Sequence, residues 1–142
     1  MPRQLKTVIR NYYSAIDYAF KTKDLEPVKR CLAENANFKG IHEFFEGRES
    51  ILELFSKSIF QIDFFDIQRQ YFDHESCCTV MDMVMTIPDI RVANIEWVVV
   101  KDGQVVEINT VYDAKAWQKF MLLTESRNSA RINISKQPFH IS

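Results

Sequence analysis

Few side chains in this sequence stand where acid–base chemistry could be done. Asp82 lies in the middle of the apolar run Val80-Met81-Asp82-Met83-Val84. A carboxylate there must face a pocket or find a cation, because an unpaired buried charge is costly. Arg69 and Arg91, on neighbouring strand segments, are the cationic candidates. His42 belongs to the loop Gly40-Ile41-His42-Glu43, and an imidazole pKa of about 6.5 suits proton transfer near neutrality. Tyr12 and Tyr13 adjoin on a helical segment. Only one is expected on its buried stripe, and Tyr12 fits the spacing; its phenol is either core or a hydrogen-bond donor to a ligand.

Other chemistries find no support in the residue pattern. The three histidines are far apart and have no Cys-x-x-Cys, His-x-His or Asp-x-Asp partners, so no metal is expected. Three glycines in 142 residues leave no glycine-rich phosphate loop, and no cofactor is expected. Cys31, Cys77 and Cys78 are an odd count without a secretion signal and are expected to be free core residues. The net charge of −1 gives no reason to expect nucleic acid or an anionic membrane as partner. No apolar run approaches the roughly 20 residues of a membrane span. The N-terminus carries no apolar signal core, so a cytoplasmic location is the default expectation.

The elements that must position these residues follow from periodicity. Leu5, Val8, Ile9, Tyr12, Ile16, Ala19 and Phe20 recur at three- and four-residue steps, predicting a helix over 4–22. Asp24 is placed to cap a second helix with Pro27 in its first turn. Asn35-Ala36-Asn37 is expected to end it and lead into a short strand around Phe38. Gly47-Arg48-Glu49-Ser50 opens a third helix with Ile51, Leu54, Phe55 and Ile59 on its inner face. Residues 61–72, 77–87, 91–101 and 104–112 are rich in β-formers. Lys101-Asp102-Gly103 is the clearest hairpin signal. Asp113 is placed to cap a last helix carrying Trp117, Phe120 and Met121. One domain is expected over 1–123, followed by a polar tail, 124–142, that is either irregular or adds a strand over Ile132–Ile134. The fold class is α+β: three N-terminal helices on a curved, mixed or antiparallel sheet. Met81, Met83 and Met85 alternate with Val80 and Val84, so the sheet is apolar on both faces. A homodimer through the outer face would cover the second one; the tail folding back is the alternative.

The order of these segments resembles the nuclear-transport-factor-2-like superfamily, in particular its SnoaL-like and ketosteroid-isomerase-like branches. The carrying residues are Lys23-Asp24-Leu25, Leu32 to Phe38, Glu46 to Ile51, Lys101 to Ile108, and Val111-Tyr112-Asp113. The resemblance implies a cone whose pocket lies between helices and concave sheet, with dimers common. The fold alone implies no reaction.

Which residues face that pocket depends on the Asp102-Gly103 hairpin. A two-residue loop pairs Trp97 with Ile108, whereas a loop with a left-handed bulge at Gly103 pairs Glu96 with Ile108, and the two registers put Glu96 on opposite faces. The family pattern favours the bulge, with Asn94, Glu96, Ile108, Thr110 and Tyr112 inward. Glu96 then matches the family's oxyanion-stabilising acid, a carboxyl kept protonated by apolar surroundings. The family's general-base aspartate falls at Gly40, its helix-one tyrosine at Ile16, and its last-strand acid at Thr110. Phe38 and Phe55 join Tyr12, Ile16, Asn94, Ile108, Thr110 and Tyr112 as expected pocket-lining residues. The leading expectation is a domain that binds a small apolar or aromatic molecule. One alternative is a cofactor-free isomerase, cyclase or dehydratase using Glu96 with Asp82 or His42. Another is a protein-interaction module.

Overall fold

The computed structural model describes the backbone of residues 2–135 and the side chains of residues 4–127. Helix α1 spans Pro2–Thr22. It stops where Lys23 turns left-handed (φ 66°) and the Lys23 amine bonds the carbonyls of Phe20 and Ile59. Leu25 rather than Asp24 is the N-cap of the short α2, Glu26–Cys31, and it makes no side-chain cap bond; Asp24, one residue earlier, accepts from the Glu26 amide. The chain becomes extended at once: β1 is Leu32–Lys39, longer and earlier than the short strand expected around Phe38. A tight turn, with the Gly40 amide donating to the Glu43 carbonyl, returns it as the three-residue β2, Phe44–Glu46, which periodicity did not predict. Helix α3, Arg48–Ser58, begins after Gly47 at φ 89°.

Four long strands follow: β3 Ile62–Phe72, β4 Ser76–Met85, β5 Arg91–Lys101 and β6 Gln104–Tyr112. The sheet order is β2-β1-β6-β5-β4-β3. All pairs are antiparallel except β1 with β6, which is parallel. Helix α4 runs over Ala114–Ser135, its first amides bonded to Asp113 Oδ1. Residues 124–135 therefore continue a helix, and Ile132–Ile134 are helical rather than an added strand. No glycine or proline interrupts the chain there until Pro138. Residues 136–142 of the predicted tail lie outside the described residues.

One face of the sheet is the core. Met81, Met83, Met85, Val92, Val98, Val105 and Ile108 are buried, as are Leu5, Ile9, Tyr12, Ile16, Ala19 and Phe20 of α1. The methionine stripe is thus core packing. Among the cysteines only Cys77 is buried, Cys31 and Cys78 being half-buried. Among the described residues no helix is long and apolar enough to cross a membrane.

The hairpin takes neither register expected from sequence. Asp102 and Gly103 both have positive φ and form a two-residue turn, with Lys101 opposite Gln104. The extra residue sits further along, in β6: Val100 faces Val105, but Val99 faces Glu107, leaving Val106 as a bulge. Glu96 consequently opposes Thr110 and Val98 opposes Ile108. The parity matches the family pattern, but the bulge lies within the strand and not at Gly103.

Candidate active site

The inner face of the sheet, α1, α3 and the start of α4 enclose a cavity of about 280 Å³. Its wall is apolar over most of its area. Ile16, Ala19 and Phe20 come from α1, Leu54 and Phe55 from α3, Phe38 from β1, Phe65 from β3, Met83 from β4 and Trp117 from α4. Six aromatic rings in this wall or beside it meet edge to face: Phe38 with Phe45 and Phe55, and Phe65 with Phe20 and Tyr13. Such contacts fix ring positions and keep the space open.

Into this wall project four polar groups on adjacent strands. Asn94 and Glu96 come from β5, Thr110 and Tyr112 from β6. All four face inward because β5 and β6 are in phase, Asn94 opposite Tyr112 and Glu96 opposite Thr110. Glu96 is 4% exposed. Its Oε1 accepts a hydrogen bond of 2.8 Å from the Tyr13 hydroxyl. Burial pushes the Glu96 carboxyl up to about 7, and the Tyr13 bond, which favours the ionised form, offsets only part of this. The Tyr13 phenol is itself held well above its ordinary value, by burial first and then by the Glu96 charge. A carboxyl in this state can keep its proton near neutrality and donate it.

A second acid reaches the cavity from an unexpected place. Glu43, at the end of the β1–β2 turn, is a cavity-wall residue. Its carboxylate occupies the space into which a side chain at position 40 would point: a Cβ built on Gly40 would collide with Glu43 Oε2 and lie 3.7 Å from Thr110 Oγ1. The Tyr112 hydroxyl donates to Glu43 Oε1 over 3.0 Å. The Tyr112 phenol is pushed up to about 12, by burial first and then by this bond and the Glu43 charge. It stays protonated and holds the carboxylate at the mouth, its ring against Trp117. Thr110 thus lies between the two carboxyls.

Of the residues predicted from sequence, the cavity gathers Glu96, Ile16, Phe38, Phe55, Asn94, Thr110 and Tyr112. Ile108 is fully buried in the core and not in the cavity wall. Tyr12 is also fully buried, and its hydroxyl has no hydrogen-bond partner among the described residues. The residue that reaches Glu96 is Tyr13, because α1 is laid into a concave sheet and buries an arc wide enough for both tyrosines. Asp82 faces the other side of β4, where Arg91 Nη1 lies 3.3 Å from it and 2.7 Å from Asp66. The arginine alternative holds, and Asp82 is not a cavity residue. His42 is exposed in the turn and does not join the cavity wall either. Among the described residues no cluster of metal-binding side chains occurs.

This cone of helices over a strongly curved six-stranded sheet defines a fold class shared by many solved structures. A steroid delta-isomerase from Pseudomonas aeruginosa superposes with a TM-score of 0.66 at 15% identity, covering 89% of this chain and 95% of that one. An NTF2-like protein of unknown function from Cytophaga hutchinsonii gives 0.63 at 15% identity, covering 78% and 91%. A de novo designed protein with a curved β-sheet gives 0.70 at 12% identity, covering 88% and 98%. The chain has the nuclear-transport-factor-2-like fold. No family model and no curated protein matches the sequence.

Proposed function

We propose that the cavity binds a small, largely apolar carbonyl compound and moves a proton on it, using Glu96 and Glu43. The observation that carries this is a carboxyl raised to about 7 by burial inside a mostly apolar cavity, with the Tyr13 hydroxyl its one hydrogen-bond partner among the described residues. Glu96 in its protonated form donates a hydrogen bond to the carbonyl oxygen, and that bond strengthens as an enolate develops. The Glu43 carboxylate removes the proton from the adjacent carbon and returns it to the same carbon or to a conjugated one. The proton and the electron pair stay within the substrate–carboxylate pair, so the step balances as an isomerisation. Isomerases among the solved structures of this fold support the reading. Asp82 and His42, the sequence's candidates for the second group, yield that place to Glu43.

The test uses beta-tetralone in deuterated water. Wild-type protein is expected to accelerate deuterium uptake at the carbon next to the carbonyl, followed by NMR. Glu96→Leu, which removes the donor, should slow this by about a hundredfold or more. Binding without uptake supports the second reading, a passive small-molecule carrier, which the missing carboxyl at Gly40 and at Thr110 favours.

We also propose a homodimer through the outer sheet face. Ile95 and Trp97 of β5, Val111 of β6, and Phe64 and Tyr71 of β3 are exposed there, a contiguous apolar surface of the kind that a second copy covers. Sedimentation is expected to give a dimer mass, and Trp97→Asp a monomer. A monomeric wild type at micromolar concentration would remove this proposal.

A further inference from the structure

A protonated carboxyl has two unlike oxygens: one carries the proton and the other only accepts. Which of the two faces a ligand decides whether Glu96 donates there. A hydrogen-bonded chain across the inner face of the sheet leads to this carboxyl. It starts on the edge strand β3, where exposed Gln70 donates from Nε2 to Thr79 Oγ1 over 3.2 Å. Thr79, on β4, is fully buried and lies opposite both Gln70 and Glu96. Its hydroxyl acts on the Tyr13 phenol as a hydrogen-bond donor. The Tyr13 hydroxyl in turn donates to Glu96 Oε1 over 2.8 Å.

The chain has a direction. An amide N–H can only donate, so Thr79 Oγ1 accepts from Gln70 and sends its own proton on; Tyr13 does the same. Bonds aligned in this way polarise one another, and the last of them leaves Oε1 as an acceptor. The reverse order would turn the Thr79 proton to Cys77 Sγ, 3.6 Å from its oxygen, and sulfur is the weaker acceptor. Oε2 has no hydrogen-bond partner among the described residues, yet it is not one of the side-chain atoms sealed in without a partner. Glu96 lines the cavity and Tyr13 does not, so the oxygen not bonded to Tyr13 is the one turned inward. We infer that Gln70, Thr79 and Tyr13 are positioning residues that fix the Glu96 proton on Oε2, so that a bound carbonyl meets a donor. This deepens the carbonyl-binding reading of the cavity and, for the use of the proton, rests on it.

Infrared difference spectra and the deuterium-uptake assay test it. The carbonyl stretch of protonated Glu96 is the band that Glu96→Gln removes, recorded below the pH at which Glu96 ionises. Tyr13→Phe takes the bond from the carbonyl oxygen, so the band is expected at higher wavenumber than in wild type. A band that does not rise means that Oε1 carries the proton, and overturns the assignment. In the uptake assay Tyr13→Phe should be slower by roughly tenfold. The alkaline limb of its pH profile should move up, because the Tyr13 bond favours ionised Glu96. Tyr12 and Cys77 also act on Glu96 or feel its charge, and Glu43, Lys57 and Tyr112 share its cavity wall; the substitution leaves all five in place. A variant faster than wild type near neutrality, where more of Glu96 would be protonated, would mean that Tyr13 only tunes the acid, and overturns the positioning role. Thr79→Val is expected to move both readouts the same way by less, and Thr79→Ser to restore them. This pair decides even where Tyr13→Phe does not fold, and a Thr79→Val protein that matches wild type overturns the chain. The infrared band needs no turnover. Wild type without uptake therefore removes the proton-transfer reading, while the band still decides where the proton sits.

Discussion

Asp82 and Glu96 are carboxyls in adjacent strands of one sheet, and they meet opposite fates. Asp82 points to the outer face, where Arg91 bridges it to Asp66 in water. Glu96 points inward, and among the described residues its one hydrogen-bond partner is a neutral phenol. The backbone environments are nearly the same. What separates them is parity: a side chain on one face is solvated and paired, and on the other is desolvated and poised to hold a proton. The same division separates apolar residues, since Trp97 and Ile95 are about half exposed while Val98 between the next pair is fully buried.

Four experiments can break or sharpen this contrast. The largest effect is expected from Glu96→Leu, which should cut deuterium uptake about a hundredfold to a thousandfold, as losing one oxyanion donor does. Asp82→Asn in the same assay should change nothing. Second, Glu96 makes stability depend on pH. Its folded value of about 7 lies above the ordinary 4.5, so the native state holds the proton more tightly. The stabilisation is complete below about pH 4.5 and is lost as pH rises to about 7, on the order of 3 kcal/mol. Urea midpoints should fall over that window in wild type and stay flat in Glu96→Gln. A wild-type midpoint that rises over the window would mean that Glu96 is ionised and paired. Third, Gly40→Ala should push the Glu43 carboxylate from the cavity and slow uptake roughly tenfold with the melting temperature little changed; the contact with Glu43 is to a movable side-chain end. Smallest is Asp82→Asn on stability. Its pair with Arg91 is largely exposed, so a loss under about 1 kcal/mol is expected by chemical denaturation.

Much of this contrast was legible in the residues. The alternation of Met81, Met83 and Met85 with Val80 and Val84 marked a sheet with two apolar faces, and the segment order marked the fold. Asn94, Glu96, Thr110 and Tyr112 were placed together by the family resemblance, because the residues alone left two hairpin registers open. Glu43 was not, because strand parity says nothing about a side chain that folds back across a four-residue turn. The one available signal was Gly40, a missing side chain where a carboxyl was expected. Tyr13 escaped because a single helical stripe was assumed, and a helix cradled in a curved sheet buries a broader arc. The three residues of β2 were too few to show a period. The length of α4 was hidden by a polar sequence that carries no apolar stripe.

The unpaired Val106 of β6 has a bearing on how this sequence can drift. A hairpin that paired Val106 with Val99 would present Asn109 and Val111 to the interior and turn Thr110 and Tyr112 out to solvent. Deleting that residue would merely straighten the strand, since Glu107 already faces Val99, whereas drawing Val106 into the ladder at constant length would exchange the lining of the cavity for the surface of the molecule. Point substitutions in β6 can therefore retune the cavity one contact at a time, while loss of the bulge at constant length replaces it wholesale.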